Sequence, residues 1–168
     1  MEWLNRLRGQ DKPVRATRAE IAGALAAGVQ ERTNRLIADL QDQGFAQQYP
    51  DRFNTLGFAV ECLLFEAFLM DVIIAREFGP HADVIREKLA GYLFQMAASK
   101  GVSREHGDEF DRLRAARFGE YIEALRSSDA DRRFERLADV GWNRISGGQP
   151  KTITASVTLF TRAGFTLK

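Results

Sequence analysis

Between Thr55 and Phe78 the chain reads TLGFAVECLLFEAFLMDVIIAREF, and three carboxylates, Glu61, Glu66 and Asp71, stand five residues apart inside it. A helix that is apolar on every face belongs at the centre of a bundle. There a bare carboxylate is costly, so each must be ion-paired, protonated, bound to a metal or turned to a partner. These three acids are the residues best placed to do chemistry, because carboxyls in apolar surroundings titrate late and can then donate as well as accept.

At about 100° per residue, five-residue spacing turns each acid roughly 140° from the last, so they cannot share one solvent stripe. Phe65, Phe68 and Val72 flank Glu61, while Val60, Leu64 and Phe78 flank Asp71. Glu66 alone shares a direction with another charge, Glu77, so Glu66 is expected to reach water and Glu61 and Asp71 to lie at helix seams. The simplest partners for the seam acids are arginines of another helix, such as Arg112, Arg114 or Arg117. Such pairs would set helix register more than they would strengthen the fold. The alternative is a ligand site: an apolar pocket formed by Glu61, Phe65 and Asp71, with Arg114 and Arg117 supplying countercharge.

A carboxylate-rich metal centre is disfavoured. Di-iron bundles use Glu-x-x-His on two helices, and no such motif exists in a chain whose only histidines are His81 and His106. No metal and no cofactor is expected. The run from Arg104 to Glu109 around His106 has the composition of a catalytic cluster, but acids in a first helical turn explain it through the helix dipole. No nucleophile elbow, phosphate loop or cofactor fingerprint is present, so the reading favours a protein that is not an enzyme.

The single cysteine, Cys62, cannot form an intramolecular disulfide and reads as a small core residue in a reducing compartment. The stretch from Glu20 to Leu36 resembles a helix-turn-helix, but two extra residues separate Ala22 from Gly28, and an uninterrupted helix accounts for it equally. Twenty-four Lys and Arg balance twenty-three Asp and Glu. Basic clusters at Arg112, Arg114 and Arg117, and at Arg132, Arg133 and Arg136, are interleaved with acids, so solvated faces are expected and nucleic acid is not.

The elements that position these residues follow from caps and spacing. Thr17 and Glu20 match a capping box, and Ile21, Leu25, Val29, Leu36, Ile37 and Leu40 continue one helix to a glycine stop at Gly44. Its small residues, from Ala22 to Gly28, suit close approach by a neighbour. The central helix occupies 55–78. Gly79 and Pro80 lead into a third helix ending near Gly101, and Ser103 is a candidate cap for a fourth that carries Phe110, Leu113, Phe118 and Tyr121. Phe134, Leu137, Ala138, Gly141, Trp142 and Ile145 mark a fifth, stopped by Gly147 and Gly148.

The expected fold is all-α: a single-domain bundle of about five main helices around the central apolar helix, over 13–148. Residues 1–12 form a short N-terminal amphipathic segment carrying Trp3, Leu4 and Leu7. Residues 149–168 form a C-terminal arm, read as extended or hairpin in preference to a short helix because of its threonines and β-branched residues.

The functional expectation is a non-enzymatic interaction or assembly protein that self-associates or binds a protein partner. The alternatives are a small-molecule binder and, less favoured, a carboxylate-based or metal-dependent enzyme. Three acids argue against residues 55–75 spanning a bilayer. Residues 1–8 could give only weak surface association. No secretory leader is evident, so the cytoplasm is the default location.

Overall fold

The computed structural model describes residues 16–126, 132–150 and 153–167. The N-terminal amphipathic segment lies outside the described residues. Within them the chain is helical, with no strand. The helices are α1 (Arg18–Asp42), the single turns α2 (Phe45–Gln48) and α3 (Pro50–Phe53), then α4 (Leu56–Phe78), α5 (Ala82–Ser99), α6 (Gly107–Leu125), α7 (Arg133–Ser146) and α8 (Ile153–Leu167).

The capping box at α1 forms as the sequence predicts. The Glu20 N–H donates to Thr17 Oγ1 at 3.2 Å, and the Thr17 N–H donates to the Glu20 carboxylate at 2.7 Å. The helix runs unbroken through Gly28, which removes the helix-turn-helix reading. Gly44 leaves it in the left-handed region at φ 82°, and the following Phe45 is buried. Thr55 caps α4 by accepting the Phe58 N–H at 3.1 Å. From Glu61 to Met70 every residue of α4 is buried, so this helix is enclosed on all sides.

Two starts differ from expectation. Pro80 belongs to a 3-10 turn, Gly79–His81, that precedes α5. Ser103 caps no α-helix: its hydroxyl donates to Glu105 at 3.0 Å over a 3-10 turn, and α6 begins only at Gly107.

The C-terminal arm is a helix, and its extended reading is corrected. Local strand preference is overridden by packing: Leu159, Ala163 and Thr166, at helical offsets of four and three, are buried against the bundle. An alanine and a threonine do not announce an apolar seam, so the sequence shows it poorly.

The core is two clusters that share α4. One joins Leu36 and Leu40 of α1, Phe58, Cys62 and Phe65 of α4, Trp142 and Ile145 of α7, and Leu159 and Ala163 of α8. The other joins Leu25 and Val29 of α1, Leu63, Leu64, Ala67 and Ile74 of α4, and Ile85, Leu89 and Leu93 of α5. The small residues of α1 do face neighbours: a Cβ at Gly28 would lie 3.6 Å from the Met70 methyl, and one at Gly23 would lie 3.8 Å from the Tyr92 hydroxyl. No described helix is long and apolar enough to cross a membrane.

Candidate functional site: the carboxylates of the central helix

Each of the three central acids meets an arginine from a different helix. Glu61 is held by Arg117 of α6, whose Nε lies 3.0 and 2.9 Å from the two carboxylate oxygens and whose Nη2 lies 2.8 Å from Oε1. Arg117 also reaches Glu120 at 3.2 Å, and Arg144 of α7 grips that carboxylate with two bonds of 2.8 Å. The result is an alternating chain, Glu61, Arg117, Glu120, Arg144, that ties α4 to α6 and α7. Arg52 of α3 extends it by donating to the Ile145 and Arg144 carbonyls, each at 2.8 Å, in the last turn of α7. The bond to Glu61 outweighs burial and raises the Arg117 pKa above its ordinary value.

Glu66 is the deepest acid, at 0% exposure. Arg32 of α1 donates to its Oε2 at 2.7 Å, and Arg162 of α8 donates to its Oε1 at 2.8 Å. A second Arg32 nitrogen reaches the Thr166 hydroxyl at 2.8 Å, and Arg162 also pairs with Asp39. Two cations and two anions therefore neutralise one another where α1, α4 and α8 meet, with charge-assisted bonds to both oxygens of the buried carboxylate.

Asp71 takes a two-pronged grip from Arg86 of α5, at 2.7 and 3.0 Å, and its side chain keeps 21% exposure. The same arginine touches Asp83 at 3.2 Å. Hydrogen bonding to Asp71 raises the Arg86 pKa.

The burial order expected from the helical wheel is thus reversed. Glu66, expected at the surface, is sealed, and Asp71, expected to be sealed, reaches water. At Glu66 the cover comes from α1 and α8, whose Arg32 and Arg162 close over the carboxylate.

Of the residues proposed to line a ligand site, the structure brings Glu61 and Arg117 into contact. Phe65, one turn on, is fully buried, with its ring edge-on to Tyr121 at 5.7 Å between centroids. Asp71 lies ten residues along α4 from Glu61, about 15 Å at helical rise, in a separate pair. Arg114 turns to Asp111 of its own helix at 3.1 Å and sits 5.9 Å from the Phe118 ring centre. The five residues do not form one site.

Two further groups bear on chemistry. Burial pushes the Cys62 thiol well above the usual range. The Tyr121 hydroxyl, also shifted up by burial, is enclosed and has no hydrogen-bond partner. Among the described residues no cluster of three or more His, Cys, Asp or Glu is placed to hold a metal ion.

Comparison with protein-family models, with curated proteins and with solved structures finds no match. The chemistry of this chain is therefore read from its own residues.

Sequence reasoning missed Arg32, Arg86, Arg162 and Arg144 as partners. For two of them a signal existed. In an antiparallel hairpin, residues equidistant from the turn lie side by side: Asp71 and Arg86 stand eight before and seven after Gly79, and Arg32 and Glu66 stand seventeen either side of Tyr49. Arg162 could be found only once the tail was known to be a helix.

Proposed function

We propose that this chain is a non-enzymatic helical interaction protein that self-associates, working in a reducing compartment such as the cytoplasm. The observation that carries the reading is the division of labour between core and surface. The central acids are engaged by arginines, which gives them a structural task, while Leu56, Ile122, Val157 and Phe160 stand 39 to 56% exposed. Single exposed apolar side chains are ordinary, but Val157 and Phe160 stand one turn apart on α8, and adjoining apolar side chains in water favour a partner that removes them from it. Size-exclusion chromatography with light scattering tests the reading. A mass above 18.9 kDa that falls on dilution supports it, and a strict monomer across the whole concentration range rejects it.

A second reading, a small-molecule binder beside Glu61, has one observation in its favour. The buried Tyr121 hydroxyl lies in the electrostatic field of Glu61 and Arg117 and has no bonded partner. Native mass spectrometry of freshly purified protein decides it: a retained mass lost in Tyr121→Phe supports the pocket, and a clean apo mass rejects it.

A further inference from the structure

We propose that the outward face of α8 is the surface on which two copies of this chain pair, with the two α8 helices antiparallel across a two-fold axis. The proposal rests on the self-association reading above and adds its location and geometry.

The first argument is spacing. Opposite the buried seam of Leu159, Ala163 and Thr166, α8 presents Val157 at 56% and Phe160 at 39% exposure, with Gly164 one turn beyond. Offsets of three and four are the spacing with which one helix packs along another.

Charge is the second argument. Between Ile153 and Leu167 the only charged residue is Arg162, and it is turned inward onto Glu66 and Asp39. The other outer helices differ: α7, which packs against α8, exposes Arg133, Glu135 and Asp139, and the more distant α6 and α5 expose Asp108, Asp111 and Arg112, and Asp83, Glu87 and Lys88. A face without charge would leave a charged partner's groups desolvated and unpaired, whereas a two-fold brings the same neutral patch onto itself.

The third argument is shape, which suits a second copy because the face is complementary to itself. The face carries both a knob and a hole. Phe160 projects, and a Cβ built at Gly164 meets nothing within 4 Å. A two-fold centred on the turn between them sets each Phe160 over the partner's Gly164. Fifteen residues span about 22 Å, so this face alone supplies less than the roughly 800 Å² per partner of a standard interface. The pairing is correspondingly reversible and concentration-dependent.

The test is sedimentation or light scattering on the full chain, diluted from about 100 µM, for wild type and four variants. Val157→Glu and Phe160→Glu should each weaken the dimer by about tenfold or more. Gly164→Leu should do the same while raising the melting temperature, because leucine is the better helix former; a folding defect therefore cannot account for that loss. Ile122→Glu, at an equally exposed apolar position on α6, should leave the dimer intact. A wild type that stays monomeric overturns this proposal together with self-association, and is the outcome expected if an unlike helix or a lipid surface covers the face. A wild-type dimer indifferent to the three α8 changes, or one broken by Ile122→Glu, overturns the proposal alone and moves the interface elsewhere.

Discussion

Glu66 shows how burial ranks three residues that look equivalent in the sequence. Removing its charge takes away the acid that Arg32 and Arg162 share; because Arg32 is 31% exposed and Arg162 keeps Asp39, the cost falls at the lower end of the about 3 to 5 kcal/mol that breaking a buried pair entails. Asp71 keeps access to water, and Arg86 retains Asp83 as a second partner, so Asp71→Asn should cost about 1 kcal/mol. Glu61→Gln falls between them, because Arg117 keeps Glu120. Urea unfolding of Glu66→Gln, Glu61→Gln and Asp71→Asn at unchanged m-value reads this order, and a Glu66 effect smaller than that of Asp71 contradicts the pairing described here. Cys62 offers an independent check on the same core. Its thiol is fully buried and its pKa is raised by burial, so a thiol reagent should modify it only as fast as the chain unfolds. Rapid labelling in native buffer would mean that the core opens around it.

Helix packing depends on small residues at specific places, and the glycines of α7 and α8 show two opposite uses. A Cβ at Gly141 would lie 2.6 Å from the Phe65 ring, which is itself wedged against Tyr121. Gly141→Ala should therefore destabilise by about 1 to 3 kcal/mol despite better helix propensity, and Phe65→Leu should recover part of that loss when combined with it. At Gly164 the space is open, so Gly164→Ala should stabilise by about 0.5 to 1 kcal/mol. Thermal melts of the two alanine variants should shift in opposite directions. The start of α1 supplies a pH-dependent case. The Thr17 backbone and side chain bond the Glu20 carboxylate and lower its pKa. A depressed folded-state pKa means that the capping contribution is fully present above the ordinary carboxylate range and is lost as pH falls through the folded value. Glu20→Ala removes the carboxylate that accepts the Thr17 N–H, so it should lower the melting temperature at neutral pH, and the gap between it and wild type should narrow in acid.

At the scale of the molecule, what the sequence shows and what it hides divide along local and long-range information. The Thr17 cap, the Gly44 and Gly147 stops and the seam of α7 were readable because each depends on residues within a turn or two. The buried run of α4 was readable because it is apolar on every face. The partners of its acids were not, because pairing depends on which helices lie against which, and the wheel of one helix is silent about that. The error at the tail and part of the error at Glu66 have one origin: the seam of α8 is built from Leu159, Ala163 and Thr166, and only the leucine looks like core. Whether α8 belongs to the same cooperative unit as the rest of the bundle is therefore the decisive global question. Its seam joins the cluster that includes Phe65 and Trp142, and Arg162 reaches the centre of the molecule at Glu66. The amides around Leu159 to Ala163 should then exchange only through global opening, with the same protection as those of Leu63 to Leu69 in α4. Native-state hydrogen exchange in increasing denaturant measures this directly. Merging of the two sets at the global unfolding free energy shows that α8 is held as firmly as the core. A lower, denaturant-independent plateau for α8 would show a helix that detaches by itself, and Glu66→Gln should produce that plateau by removing the acceptor that draws Arg162 inward.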